Sequence, residues 1–234
     1  MSNINSIISS VVTNSINNNR DYIFGFANMK GQLIDELSVY SGGISIGKKI
    51  NEEIVDLITD SPVPQYQDCY NSLNFEITEL LKQIAASLQK HNISCLVIPP
   101  IPEKMDKDEQ LYFNKNLRYK LSHKYVATSA GLGWIGKTSL FISRDFGPRV
   151  RLGSILVKDV EFDSSPCKES LCGDCDLCVK ACPVQAANGK LWNVGVDRDE
   201  FLDVQKCRKH IYRNYYDKNI LLCGNCIAAC PVGK

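Results

Sequence analysis

The stretch Cys172-Gly-Asp-Cys175-Asp-Leu-Cys178-Val-Lys-Ala-Cys182-Pro183 constrains this chain more than any other. Its spacing, C-x2-C-x2-C-x3-C-P, is the run with which bacterial ferredoxins hold a [4Fe-4S] cluster. A cubane needs four thiolates converging from different directions. Two-residue gaps let one tight loop wrap three of them around a cluster. The following turn carries the fourth away, with Pro183 fixing the exit, and presents it to a second cluster.

That second cluster has its own run. Cys223-Gly-Asn-Cys226-Ile-Ala-Ala-Cys230-Pro231 repeats C-x2-C-x3-C-P without the front cysteine, which Cys207 can supply from upstream. The crossed wiring of two-cluster ferredoxins then gives Cys172, Cys175, Cys178 and Cys230 to cluster one. Cluster two takes Cys182, Cys207, Cys223 and Cys226. Paired C-x2-C units also build four-thiolate zinc sites, but zinc asks neither for a third cysteine at x2 nor for a closing Cys-Pro in both runs. Two [4Fe-4S] clusters are therefore expected.

The chain has 234 residues and 11 cysteines, of which only Cys69 and Cys95 precede Cys167. A disulfide scaffold is normally a short secreted chain with an export signal. Here the N-terminus is polar, without a basic segment leading into an apolar core. Its apolar runs fall short of a signal or membrane span. A cytoplasmic protein without a membrane partner is expected, with Cys167, Cys95 and Cys69 left over from the clusters. Net charge is +1, from 27 basic and 26 acidic side chains. Such a balance gives no footprint for a phosphate backbone, so a nucleic-acid partner is not expected.

Before the cysteine runs the chain mixes helix and strand patterns without strict alternation, which favours α+β. Helical spacing covers residues 3–19, 50–58 and 71–91. Short apolar runs suited to strands lie at 22–27, 39–46, 94–98, 140–143 and 150–157. Residues 103–110 read as a charged loop and 116–130 as one helix. The composition changes near Asp163, placing a boundary between a domain at 1–163 and a cysteine-rich domain at 164–234.

Gly131-Leu-Gly133-Trp134-Ile-Gly136-Lys137-Thr138 matches both the P-loop and the dinucleotide fingerprint. Both need a strand before the glycines and a helix after. Here the order is reversed, so nucleotide binding is not expected. Two readings remain open: a tight helix-to-strand turn with close backbone packing, or a backbone surface against a large flat cofactor.

The order AGLGWIGK (130–137), a strand pair, the first cysteine run, a lone Cys and the closing Cys-Pro run resembles the epoxyqueuosine reductase family. That family is related to corrinoid-dependent reductive dehalogenases. The likeness is strong from about residue 115 onward and weak before it. It implies a nitroreductase-like α+β domain followed by a ferredoxin-like domain. It also implies a base-off cobalamin between them, reduced by single electrons from the clusters. The cofactor-side role of the glycine-rich loop carries over to Gly131, Gly133, Trp134, Gly136 and Lys137.

The chain departs from the tRNA-modifying members in three ways. No Asp or Glu lies between Gln110 and Gly131, where those enzymes carry an Asp proton donor. The chain ends four residues past Cys230, where they continue into helical repeats. The charge balance does not call for tRNA. A short, anaerobe-type relative is expected.

His123, just ahead of the glycine-rich loop, is the candidate proton donor, since imidazole titrates near neutral pH. Arg149 and Arg151 alternate on a strand pattern. A grip on a carboxylate or corrinoid side chain and a solvated strand face are both open. The expected function is an iron-sulfur oxidoreductase that passes single electrons to a corrinoid or small substrate. A ferredoxin or flavodoxin would supply them. The alternative is a ferredoxin-type carrier serving a partner enzyme, and a lesser one is tRNA epoxyqueuosine reduction itself.

Overall fold

The computed structural model describes residues 3–59 and 61–234, so Met1, Ser2 and Asp60 lie outside the described residues. In chain order the elements are α1 (Asn3–Ile16), β1 (Tyr22–Asn28), β2 (Tyr40–Lys49), α2 (Glu52–Asp56), α3 (Pro64–Lys90), β3 (Cys95–Ile98), α4 (Lys107–Asn116), α5 (His123–Ser129), β4 (Gly133–Ile135), β5 (Phe141–Ser143), β6 (Val150–Lys158), α6 (Leu177–Lys180), α7 (Val204–Tyr215) and α8 (Asn225–Ala228). This mixed order agrees with α+β.

The chain divides into two units, each assembled from separated segments. The first is Met1–Lys48, Asn74–Leu132 and Arg151–Pro166; the second is Lys49–Leu73, Gly133–Val150 and Cys167–Lys234. One crossing, at Pro166/Cys167, falls beside the boundary expected from composition. The other crossings lie within segments whose composition does not change, so the sequence did not mark them.

In the first unit a four-stranded sheet has the order β1-β2-β6-β3. β1 and β2 pair antiparallel, as do β3 and β6. Ile8, Val12 and Ile16 repeat every four residues on α1, and Ile77, Leu81, Ile84 and Leu88 follow the same helical spacing on α3. These stripes cluster with Ile44, Ile46, Ile155 and Val157 of the sheet. Burial of such side chains contributes roughly 1.5–3 kcal/mol each before entropy is counted. Val126 of α5 packs into a second cluster with Ala27, Met29 and Leu156.

Three segments depart from the sequence reading. The supposed charged loop contains the start of α4. Asp106 accepts from the Glu109 backbone at 2.8 Å, and Glu109 returns the bond at 3.1 Å, a complete capping box. The supposed helix over 116–130 breaks at Leu117, which caps α4 in the left-handed region at φ 50°. Only α5 resumes it. Further, α3 starts at Pro64 rather than near Asn71, and proline suits a first helical position because its missing N–H would go unpaired there anyway.

The second unit has a smaller core: Ile50, Val55, Ile58, Tyr66, Leu73 and Ile227. The β4–β5 ribbon is its two-stranded sheet. Among the described residues no helix is long and apolar enough to cross a membrane.

Candidate iron-sulfur centre

The cysteine runs fold into short loops with one-turn helices, α6 and α8, each ending just ahead of a Cys-Pro pair. The structure brings the thiols together in two sets. Cys178 interacts electrostatically with Cys172, Cys230 and Cys175. Cys207, carried on α7, interacts with Cys182 and Cys223, and Cys226 with Cys207, Cys223 and Cys182. Cys226 also feels Cys178, an interaction that crosses from set to set. Cys182 thus lies with the late cysteines and Cys230 with the early ones.

Burial, and after it the neighbouring thiols, pushes the Cys178 and Cys207 thiols up to about 11. Cys226 is raised for the same reasons. Crowded, desolvated thiols resist ionising, and a cationic iron core is what would turn them into thiolates. The donor set therefore fits two all-thiolate clusters. Among the described residues no group of three or more His, Cys, Asp or Glu side chains suits a single metal ion. A cubane stands between its ligands and spreads them wider than one zinc, whose sulfurs lie about 2.3 Å from the metal.

The glycine-rich loop lies against the first run. Trp134 Nε1 donates to Cys172 Sγ at 3.4 Å, and the Thr138 hydroxyl hydrogen-bonds to Cys178. Lys137 Nζ meets Asp176 Oδ1 at 2.6 Å, with the lysine side chain only 5% exposed. That pairing commits the lysine a P-loop would turn toward phosphate. A Cβ on Gly133 would lie 2.0 Å from the Ile142 carbonyl oxygen, and one on Gly136 would touch Cys172 Sγ at 3.6 Å. Gly131, at φ +76°, sits in the first unit against the Ser165 carbonyl. Close backbone packing, the plainer of the two readings, thus accounts for these glycines without a cofactor.

Arg149 and Arg151 do not share a face. Arg149 is fully buried in the second unit and donates to the carbonyls of Val232, Ala228 and Cys230 at 3.1, 3.4 and 3.1 Å. Arg151 belongs to the first unit and bonds Asn74 Oδ1 and the Pro100 carbonyl. They diverge because Arg149 precedes the regular strand, in the turn where the chain passes from one unit to the other. Both guanidinium groups are therefore engaged inside the protein rather than presented to a corrinoid side chain.

His123 is likewise engaged. Its Nε2 lies 3.0 Å from the Pro99 carbonyl and its Nδ1 2.9 Å from Ser154 Oγ. A carbonyl only accepts, so Nε2 carries the proton and Nδ1 accepts from Ser154. Burial, with Arg151 adding to it, lowers this imidazole to about 4. It is neutral near pH 7, with its one N–H already donated, which suits holding β3 against β6 better than supplying protons. His123 borders a cavity of about 700 Å³ in the first unit, lined also by Leu37, Leu96, Ile98, Tyr112 and Lys120.

Of the remaining cysteines, Cys95 packs beside the main core with its thiol raised by burial. Cys69 packs beside the core of the second unit. The Cys167 thiol donates to the Glu169 carbonyl at 3.7 Å. Sequence reasoning missed the contacts of Arg149 with the last cysteine turn and of Lys137 with Asp176. Both join segments far apart in the chain, and no local pattern announces them.

Residues 171–233 match the family described as 4Fe-4S double cluster binding domain. The epoxyqueuosine reductase of Listeria monocytogenes is 32% identical over 122 residues, covering 49% of this chain and 30% of that protein. That of Synechocystis sp. is 41% identical over 66 residues, covering 28% and 22%. The chain thus spans about 30% of the length of the first of these relatives. Among solved structures, epoxyqueuosine reductase from Bacillus subtilis matches with TM-score 0.61 at 16% identity, over 99% of this chain and 66% of that one. A catabolic reductive dehalogenase matches with TM-score 0.62 at 16% identity, over 91% and 30%. At such identity these structures speak for the fold alone. The chain is thus similar to epoxyqueuosine reductases in sequence and fold, and its residues 171–233 match a 4Fe-4S double cluster binding domain.

Proposed function

We propose that this protein is an iron-sulfur oxidoreductase that moves single electrons through two [4Fe-4S] clusters to an acceptor taken up by its first, nitroreductase-like unit. The observation that carries this reading is the pair of four-thiol sets, Cys172/Cys175/Cys178/Cys230 and Cys182/Cys207/Cys223/Cys226. The clusters would supply one-electron chemistry at low potential. The chain's own residues bind them, bury them and hold their sulfurs. A low-potential one-electron donor of the ferredoxin or flavodoxin class completes the balance.

The cavity beside His123 is within the size range of small-ligand sites and has a largely apolar floor. Lys120 on its wall is paired with Glu36 and Glu109. A corrinoid remains the larger acceptor that the relatives suggest. Trp134 and Lys137, which the resemblance assigns to it, are committed to Cys172 and Asp176, and Arg149 and Arg151, drawn from strand alternation, to carbonyls and Asn74. They do not fit that role.

Anaerobic reconstitution followed by iron and sulfide counts tests the reading. About eight irons per chain are expected, and about four would remove one cluster. A cobalamin titration of the same sample then separates the acceptors: a stoichiometric spectral shift supports the corrinoid, and none supports the small molecule.

A second reading, a carrier feeding a partner enzyme, is favoured by the exposure of Cys175 together with Leu171 and Leu177. Electron transfer to an added acceptor without turnover of any small molecule would support it. One similar solved structure, an epoxyqueuosine reductase, holds an epoxyqueuosine-modified tRNA-Tyr stem loop. The same role here would require tRNA binding that weakens steeply with salt.

A further inference from the structure

The two thiol sets are surrounded unequally, and the inequality centres on a buried arginine. Arg149 has no exposed surface. Its terminal nitrogens donate to three carbonyls of the closing Cys-Pro turn, those of Ala228, Cys230 and Val232, while its Nε has no hydrogen-bond partner among the described residues. Burying a guanidinium against neutral carbonyls is costly unless negative charge lies near. Glu52 feels Arg149 but is lowered first by its own partner, Lys49. The Cys230 sulfur does feel Arg149, as a charge favouring thiolate.

The contact is built from both sides. A Cβ on Gly147 would lie 1.8 Å from the Val232 carbonyl oxygen, and one on Gly233 2.2 Å from the Phe146 carbonyl carbon. The turn that carries Arg149 is thus pressed onto the turn that carries Cys230. Other donors converge on the same set: Trp134 on Cys172 and Thr138 on Cys178. In the other set Cys182 accepts from the Ala186 backbone and Cys223 from the Asn225 backbone. Burial and the neighbouring thiols are what bear on Cys207 and Cys226. Among the described residues no cation bears on these two thiols.

We propose that Arg149 is the built-in countercharge of the cluster held by Cys172, Cys175, Cys178 and Cys230, and makes it the higher-potential member of the pair. One-electron reduction adds a negative charge. A fixed positive charge and N–H or O–H donors to sulfur favour the reduced form and raise the potential. An electron shared between the clusters therefore rests on this one, and the other is oxidised by one equivalent with no proton moved. The inference rests on the two-cluster reading above.

The test is an EPR-monitored reductive titration of the full reconstituted chain. Wild type should show two midpoints, and Arg149→Gln should lower only the upper one. A tenfold or greater change in the reduction equilibrium, ~59 mV for one electron, is expected. Trp134→Phe, which removes one donor without changing charge, should lower the same midpoint by less. An unchanged upper midpoint in Arg149→Gln, or equal movement of both, overturns the proposal. Should Arg149→Gln retain only about four irons, the surviving cluster must show the lower wild-type midpoint; the upper one overturns the proposal. A wild-type count far from eight irons overturns the two-cluster reading and this inference with it, before any titration begins.

Discussion

Lys137 Nζ lies 2.6 Å from Asp176 Oδ1, tying the last glycine-rich residue before Thr138 to the loop between Cys175 and Cys178. The lysine is nearly buried and the aspartate is partly exposed. Removing one partner therefore has unequal consequences. Lys137→Met leaves an aspartate that water can solvate, and should cost about 1–2 kcal/mol. Asp176→Asn strands a buried ammonium and should cost more. Thermal unfolding of the loaded protein should rank wild type above Lys137→Met and Lys137→Met above Asp176→Asn. The lysine holds the Asp176 carboxyl below its usual range. The pair's contribution is then present above the unfolded carboxylate value and fades only as pH falls through the lowered folded one. Between pH 5 and 8 the difference between variants should be flat.

What the chain announces in advance is what lies within a dozen residues. The cysteine runs are local because one loop wraps one cluster, so their spacing could be read directly. The stripe of Ile77, Leu81, Ile84 and Leu88 was legible for the same reason. The cap at Asp106 was hidden by the charges around it, and the break at Leu117 by the helical spacing on either side. Arg149 illustrates the rest. Its partners are some eighty positions away, and a strand-like alternation with Arg151 suggested a shared face that the turn at Gly147 abolishes. Long-range polar contacts depend on chain crossings, and nothing in the local sequence encodes those.

Gly133 tests the close packing of the β4–β5 ribbon. A methyl group there would stand 2.0 Å from the Ile142 carbonyl oxygen, so backbone must move. Gly133→Ala should cost about 3 kcal/mol or more and disturb the adjacent Trp134–Cys172 contact. Gly31 is the control: its φ is +68°, but a Cβ meets nothing within 4 Å. Gly31→Ala should cost only about 1 kcal/mol, from backbone conformation alone. Denaturant midpoints and the tryptophan fluorescence of both variants would show the contrast. Equal losses would mean the ribbon yields more easily than its geometry suggests.

His123 should make the protein sensitive to mild acid. Its imidazole is lowered to about 4 when folded, against 6.5 for the free group. Between those values the unfolded chain binds the extra proton, so stability is full above about pH 6.5 and is lost as pH falls toward 4. The loss is about 3 kcal/mol at most, since each tenfold change in proton affinity is worth about 1.4 kcal/mol. His123→Gln removes this slope. Cluster loss in acid is common to both proteins, so the difference between their denaturation curves from pH 4.5 to 7 isolates the histidine. Parallel curves would mean that the imidazole titrates alike in the folded and the unfolded chain.

The wiring itself can be read by counting iron in pairs of variants. Cys178 and Cys182 are neighbours in one run, yet the structure sets Cys178 with Cys172, Cys175 and Cys230, and Cys182 with Cys207, Cys223 and Cys226. If a cluster is lost when one ligand is replaced by alanine, Cys207→Ala alone should leave about four irons and Cys167→Ala about eight. Adding Cys182→Ala to Cys207→Ala should cost nothing further, because both serve one cluster. Adding it to Cys178→Ala should empty the protein, because the two serve different clusters. Uncrossed wiring reverses these last two results: the neighbours in the run would then share a cluster and leave about four irons, and the distant pair would leave none.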